Sequence, residues 1–585
     1  MKKKVVPVFA AIVLIIVVIL FMLLGKLIEK YTPSNERQEL TEYYQISSDE
    51  DVAILFNNEL LEVHGRMIDG HVYLDFDTVH DLINDRFFWD SNENKLLYTT
   101  ATDLISVEAE STSYLVTKDS HSLDHTIVKV DANSAYIAID FVNQYSDFAY
   151  EVYDSPNRVV ITTEWGEYTV APAKKSTELR CLGGIKSPIL TDIEKGTTLH
   201  ILEPDQTWTK VSTNDGIIGY VKSKTLGSTS TEIRSSSYVP EEFTHIKKDY
   251  KINLGWHQVT NTSANSSIAN ILQNTKGINV VSPTWFYLKD TNGSIGSLAS
   301  SDYVNYCHQN GIEVWALVSN FGAKDQGLEN PDVTEVLTYS SRRENLINNL
   351  ISAAIQYNLD GINVDFESIP PVVGDAYIQF IRELSLKCAN NGIVLSVDNY
   401  SPTEYTAFYD RAEQAVFADY VILMAYDEHY AGSQEAGSVA SIGFVTDGVT
   451  NTLKEVPADQ LIMGMPFYTR VWSETPIADD TSEENSDEPV DSYTLYELGC
   501  YSASMNEVQK LINANGATPV WSEECKQYYV EYVNDNVTYK IWMEDATSLE
   551  EKLKVMQEHQ LAGGAFWKLG LEDSTVWDTI IKYIN

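Results

Sequence analysis

A chain of 585 residues exceeds one ordinary core and, at about 150 residues per domain, calls for about four units. Its 44% apolar and 11% aromatic content excludes global disorder, and 41 Lys and Arg against 84 Asp and Glu give a formal charge of -43. Most of such a surface repels phosphate, which excludes nucleic acid as a general partner.

Val5 to Leu24 is apolar throughout and follows Lys2, Lys3 and Lys4. About 20 residues rising about 1.5 Å each cross a hydrocarbon core of about 30 Å. Residues 1–30 are therefore expected to be a cytoplasmic stub and a single transmembrane helix, with the positive residues holding the N-terminus inside and everything after Lys26 outside the cell. A cleaved signal peptide is the rival, but its apolar stretch is shorter and ends at small residues, whereas this run ends Leu24-Gly25-Lys26. Residues 31–50 are polar, contain Pro33, and read as a linker or stalk.

Within residues 51–168 a repeat emerges: His71 to Thr100 aligns without gaps on Ser134 to Thr163, with Tyr73 over Tyr136, Asp77 over Asp140 and Asn94 over Asn157. Each copy reads strand, short helix, strand, strand, which predicts an α+β repeat domain. The pattern resembles the amine-oxidase N-terminal-like domain of exported Gram-positive proteins, which implies an assembly or wall-facing spacer. His71, His80, His121 and His125 show no ligand spacing that would make a copper site. Residues 175–228 change to short strands separated by Gly and Asp. Trp208-Thr209-Lys210-Val211, Asp215-Gly216 and Gly219-Tyr220-Val221-Lys222 resemble a bacterial SH3 domain, a small β-barrel that binds cell-wall peptides or serves structurally. Residues 229–244 are expected to be a flexible linker, on the composition of the overlapping run Gly227 to Ser237.

From residue 245 to 585 short apolar runs alternate with helical patterns, the mark of βα units around a parallel sheet. Eight strands are predicted, at Ile252 to Trp256, Ile278 to Pro283, Glu313 to Val318, Gly361 to Glu367, Ile393 to Asp398, Tyr420 to Tyr426, Leu461 to Pro466 and Gly564 to Trp567. The number suggests a closed barrel. An α+β insertion, about 471–560, contains the acidic Ala478 to Glu488 loop and is too long for an ordinary loop. The five cysteines, Cys181, Cys307, Cys388, Cys500 and Cys525, lack metal-ligand spacing. An exported chain could pair Cys500 with Cys525, but no pairing is selected by sequence and free thiols are the default.

The chemistry concentrates in the fourth predicted strand. Alternation puts Asn363, Asp365 and Glu367 on one face, with Ile362, Val364 and Phe366 on the other. Two neighbouring carboxylates in a barrel interior cost several kcal/mol unless they share hydrogen bonds or a proton. A solvated strand end or a salt bridge is the structural alternative. The C-terminal strand ends form the active face of such barrels, however, and a proton-sharing Asp365 would keep Glu367 protonated as a general acid. Asp360 is expected to fix the strand's entry.

Asp360 to Glu367, DGINVDFE, resembles the DGxDxDxE strand of family 18 glycoside hydrolases, with Asn363 where that family commonly has Asp. Met424-Ala425-Tyr426-Asp427, Gly464-Met465-Pro466-Phe467-Tyr468 and Gly563-Gly564-Ala565-Phe566-Trp567 follow in the family's order, so the resemblance spans about Asp249 to Asn585. It implies a multidomain protein whose C-terminal part is an α/β (β/α)8 TIM barrel. In that reading Glu367 is the proton donor, while Asp365 and Tyr426 hold the substrate's 2-acetamido group, whose oxygen attacks the anomeric carbon. Trp567 floors the sugar site, and Asn363, Asp427 and Met424 are further substrate contacts. This route gives net retention and needs no metal or cofactor. Asn363 can hydrogen-bond Asp365 but cannot store a proton. The DGxNxDFE variant is familiar from spore-cortex and peptidoglycan-directed members, which points to a membrane-anchored extracellular enzyme cleaving β-1,4 linkages after N-acetylglucosamine in peptidoglycan. A chitinase-like hydrolase of chitin-type glycans and a noncatalytic cell-wall glycan-binding protein are the alternatives. Trp285, Tyr400, Tyr468 and Arg470 lie near expected strand ends and receive no role.

Overall fold

The computed structural model describes residues 5–132, 134–477 and 496–584; the acidic loop expected at Ala478 to Glu488 lies outside them. Two compact units emerge, Met1–Trp89 with Ser106–Pro240, and Asp90–Ile105 with Glu241–Asn585.

In the first unit Val5–Tyr31 is one helix, carried past the apolar run that ends at Leu24. Its segment Pro7–Tyr31 is long and apolar enough to cross a membrane. The expected stalk at 31–50 is instead partly packed. Arg37 bridges Ile189, the backbone N–H of Ser34 donates to the Ile185 carbonyl at 2.7 Å, and Tyr44 is fully buried with its hydroxyl donating to the Gly216 carbonyl at 3.1 Å. Leu40, Tyr43 and Ile46 add apolar surface to the same cluster, and a few such side chains outweigh a polar average composition. The expected linker is also corrected. Ser230–Arg234 is a strand whose backbone pairs with Gly166–Pro172, Tyr168 lying opposite Glu232, and Arg234 covers the Tyr168 ring at 4.6 Å. Ladder bonds are made by backbone groups, which composition does not report.

Both copies of the repeat take the expected order. His71–Asp75, Phe76–Leu82, Phe87–Asp90 and Lys95–Thr99 match Ser134–Ala138, Ile139–Gln144, Ala149–Tyr153 and Arg158–Thr162. Their first strands pair antiparallel, Tyr73 opposite Ala138, Leu74 opposite Ile137 and Asp75 opposite Tyr136. Leu74 and Ile137 are equivalent positions of the two copies, so a local two-fold axis passes between them.

The second unit is built on β1 (Ile252–His257), β2 (Val280–Leu288), β3 (Glu313–Ser319), β4 (Gly361–Asp365), β5 (Val394–Tyr400), β6 (Tyr420–Met424), β7 (Leu461–Pro466) and β8 (Gly563–Trp567). Neighbours run parallel, and Leu254 of β1 pairs with both Val280 of β2 and Ala565 of β8, closing an eight-stranded TIM barrel. Interior side chains such as Leu254, Trp256, Trp315, Tyr420 and Ile462 fill it. An added Cβ at Gly361 would meet the Trp315 ring at 2.7 Å, so the glycine opening β4 makes room for that indole. On the outer face Phe366 stacks on Phe380 of the helix Gly374–Asn391 with centroids 5.4 Å apart. Asp360 accepts from the Val314 N–H and His308, both at 2.8 Å, and so pins the entry to β4.

The insertion after β7 is an antiparallel five-stranded sheet ordered Tyr496–Ser504, Tyr468–Pro476, Val537–Trp542, Gln527–Asn534 and Val520–Ser522. It ends near Trp542 rather than 560, because Ala546–Glu558 packs on β7 and β8 as a barrel helix. Glu544, at the junction, is buried but fully paired, accepting from Gln527 at 2.6 Å, Ser548 at 2.7 Å and Lys552 at 2.9 Å. All five cysteines are free thiols, Cys500 and Cys525 included.

The segment Asp90–Ile105 belongs with the barrel because Asp90, 1% exposed, accepts from the Ser340 N–H at 2.6 Å and its hydroxyl at 2.5 Å, capping the helix Ser340–Tyr357. Removing such a cap costs about 1–2 kcal/mol. Asp90→Ala is expected to speed amide exchange in the first turn of that helix about tenfold, measured by hydrogen–deuterium exchange, with β4 unchanged. Equal protection in both proteins would show the cap to be idle.

Candidate active site

At the C-terminal ends of the strands a cavity of about 250 Å³ is lined by Asp365, Glu367, Asp398, Tyr400, Met424, Tyr426, Asp427 and Trp567, among others. Six of the seven residues singled out by sequence thus meet at one place. Asn363 is the exception and a correction. It is 0% exposed and lies beneath the cavity, its amide oxygen accepting from the Trp256 indole and the Ser282 hydroxyl, both at 3.0 Å. Its amide nitrogen donates to Ser396 at 3.1 Å and Asp398 at 2.8 Å. A side chain whose hydrogen-bonding groups are consumed by the protein has nothing to offer a substrate.

The pleat sets the rest. β4 pairing ends at Asp365, two residues before the expected end, and Glu367 is carried on by a clamp. Asn320, just past β3, accepts from the Glu367 N–H at 2.9 Å and donates to its carbonyl at 2.8 Å, replacing the missing ladder bonds with one side chain. Ser368 follows with φ of 53°, in the left-handed region, which turns the chain away from the strand. The Glu367 carboxylate accepts from the Tyr400 hydroxyl at 2.6 Å. Burial and the nearby Asp427 charge hold Glu367 above the ordinary glutamate range, while the Tyr400 bond opposes that rise.

Asp365 is 6% exposed, and its Oδ1 has no hydrogen-bond partner among the described residues. Burial raises its pKa well above the carboxylate range, and Asp398 and Glu367 add to the rise. Asp398, 3% exposed, is raised for the same first reason. Just past the end of β6 the Tyr426 phenol is raised by burial and by the nearby carboxylates, so it remains a donor at any ordinary pH. Asp427, with φ of 59°, is held by the Tyr468 hydroxyl at 2.6 Å and Arg470 at 3.0 Å, both from the first strand of the insertion. Trp567 meets Trp256 edge to face at 6.0 Å and leaves part of its indole to the cavity.

Sequence reasoning assigned no role to Asp398, Asn320, Trp256 or Ser282. Alternation along β5 could have found Asp398, since Ser396, Asp398 and Tyr400 share a face. The partners of Asn363 and the Asn320 clamp carry no such signal. Tyr400, Tyr468 and Arg470 do reach the site, whereas Trp285 is a core residue donating to Asn265 at 2.8 Å. Elsewhere His71, His125 and Asp140 place potential ligand atoms within 4.8 Å of one another, a grouping the sequence spacing did not announce. The two imidazoles stack at 3.8 Å and 16°, and His125 is shared between Asp124 at 2.9 Å and Asp140 at 3.1 Å. Stacked rings direct their in-plane nitrogen lone pairs along separate planes, which is poor geometry for tetrahedral ligation of one ion, and the His125 nitrogens are taken up by the two aspartates.

Residues 238–572 match the model of the glycosyl hydrolases family 18. The chain is 26% identical over 301 residues to an uncharacterized glycosylase of Bacillus subtilis (strain 168), covering 50% of this chain and 81% of that one. It is 26% identical over 250 residues to the cortical fragment-lytic enzyme of the same organism, covering 42% of this chain and 54% of that one, so it spans only about half the length of that relative. The crystal structure of the Bacillus cereus spore cortex-lytic enzyme SleL aligns at 19% identity and a TM-score of 0.49, over 60% of this chain and 78% of that one.

Tyr400→Phe removes the bond that favours ionised Glu367, leaving burial and Asp427 unopposed. Glu367 then keeps its proton to higher pH, so the alkaline limb of the pH–rate profile for glycoside hydrolysis is expected to move upward. A limb that stays or moves down would show that Tyr400 does not control this carboxyl.

Proposed function

Because the chain belongs to glycosyl hydrolase family 18, we propose that it cleaves β-1,4 bonds after N-acetylglucosamine in peptidoglycan, using the substrate's own acetamido group as nucleophile. The observation that carries this reading is a stepped pair in one cavity: Glu367, whose pKa burial raises, stands at the strand end as the candidate acid, and the more deeply buried Asp365 shares the cavity with Tyr426. Asp365 is deeply buried, which disfavours its charge, so the sugar's acetamido oxygen and not this carboxylate is read as the nucleophile toward the anomeric carbon. The suited task of Asp365 is to accept the acetamido N–H, with Tyr426 donating to the carbonyl oxygen. As the ring closes, the sugar's oxygen bonds to the anomeric carbon, the leaving oxygen takes the Glu367 proton, and Glu367 then accepts a proton from the attacking water. Trp567 supplies an apolar floor for the pyranose, and Asp427, Met424 and the insertion wall its side.

The Val5–Tyr31 helix, preceded by three lysines, supports a single-pass anchor with the N-terminus inside and the catalytic unit outside the membrane. An anchored enzyme meets the wall before any other glycan, and kinship with a cortical fragment-lytic enzyme points the same way. The repeat and residues 175–228 are proposed as a spacer and a wall-facing SH3-like module.

The test is product analysis by mass spectrometry on defined muropeptide chains and on chitooligosaccharides. Glu367→Gln is expected to lower kcat about 10²- to 10⁴-fold with KM little changed, since it removes the general acid alone. The parent should release new ends at N-acetylglucosamine with the β configuration retained. Faster turnover of chitooligosaccharides would move the substrate to chitin-type glycans, and binding without turnover would make the protein a glycan-binding one.

A further inference from the structure

In the wall of the cavity the fourth and fifth strands bring two carboxylates together. Asn363 pairs with Ser396 and Val364 with Val397, so the next step of the register sets Asp365 beside Asp398, about 4.8 Å away between parallel strands. The amide of Asn363 can only be oriented one way. Its oxygen serves Trp256 and Ser282, leaving its nitrogen to donate to Asp398 at 2.8 Å. Asn363 therefore neutralises nothing, and the charge lies on the neighbouring strand.

We propose that Asp398 is a positioning residue that shares one proton with Asp365 and takes it over when substrate binds, so that the proton store of this site stands on β5 instead of two residues before Asp365 on β4. The proposal rests on the acetamido reading above. In the free protein the pair carries one proton and one negative charge. When an acetamido N–H approaches, Asp365 must offer a lone pair. The proton then bonds to Asp398, the pair keeps its charge of minus one, and nothing is released to solvent. Two such carboxylates cannot both ionise at low cost in a buried site. The ionisable groups around them are Glu367 after β4, Tyr426 after β6, Tyr377 on the helix Gly374–Asn391 and Tyr409 after β5, all acids that oppose a second negative charge. Burial first, and the neighbouring carboxylates second, hold both carboxyls above their ordinary range.

Asp398→Asn separates this role from a structural one, because the new amide oxygen can still accept from Asn363 in the same place. The experiment is calorimetric titration of chitotetraose into the full chain in detergent, in a Glu367→Gln background that prevents turnover, across pH and in buffers of different ionisation enthalpy. With Asp398 present, binding is expected to release no proton and to vary little with pH. With Asp398→Asn, Asp365 must discard its proton to water. About one proton should then be released per site at low pH, and affinity should fall about tenfold per pH unit below the Asp365 pKa. The double variant Asn363→Asp with Asp398→Asn returns a carboxylate to the neighbourhood and should restore proton-neutral binding. Equal proton counts and pH dependence with and without Asp398, or release of a full proton by the parent background, would overturn the proposal while leaving the acetamido reading intact. Absence of chitotetraose binding in every background would overturn that reading and the proposal with it.

Discussion

Asn363 uses its whole amide inside the barrel, holding Trp256 and Ser282 with the oxygen and Ser396 and Asp398 with the nitrogen. These bonds tie β1, β2, β4 and β5 together at one level, directly under the catalytic cavity. A buried amide loses about 1–3 kcal/mol for each group left unpaired, so the four partners are placed as a set. With the polar floor fixed, the next layer up has room for carboxylates, and burial there raises their pKa values.

Two clamps then finish what strand pairing leaves open. β4 ends at Asp365, and the acid that follows would be free to swing if Asn320 did not hold its peptide from both sides. Asp427 likewise follows β6 in a left-handed conformation and is held by Tyr468 and Arg470 of the insertion. The insertion is in turn fastened to the barrel through buried Glu544, whose charge is matched by Lys552. The wall of the site is thus built from an element that an ordinary βα unit lacks.

Composition misled where backbone geometry decided. The residues between the apolar helix and the repeat are polar on average, yet Tyr43, Tyr44 and Leu40 are enough to seat them, and a Ser- and Thr-rich run became a strand because its neighbour offered a free edge. The insertion ends earlier than its sequence pattern predicts for a related reason: an amphipathic helix such as Ala546–Glu558 reads the same whether it belongs to a subdomain or to the barrel.

Features that repeat with a short period or rest on a local motif are legible in the chain alone. The apolar helix, the two copies of the repeat, the eight barrel strands and the alternation of Asn363, Asp365 and Glu367 all depend on neighbours within a few residues, where chain geometry leaves little choice. Six of seven chosen site residues reach the cavity because strand ends are converged by closure of the barrel. That Asn363 lies under the site and that Asp398 stands beside Asp365 follows from three-dimensional packing alone. The same packing decides that Asn320, Tyr400, Tyr468 and Arg470 hold the acids in place. Those contacts join residues from about 30 to over 100 positions apart, and which of them meet is settled by strand register and barrel closure, which no local pattern encodes.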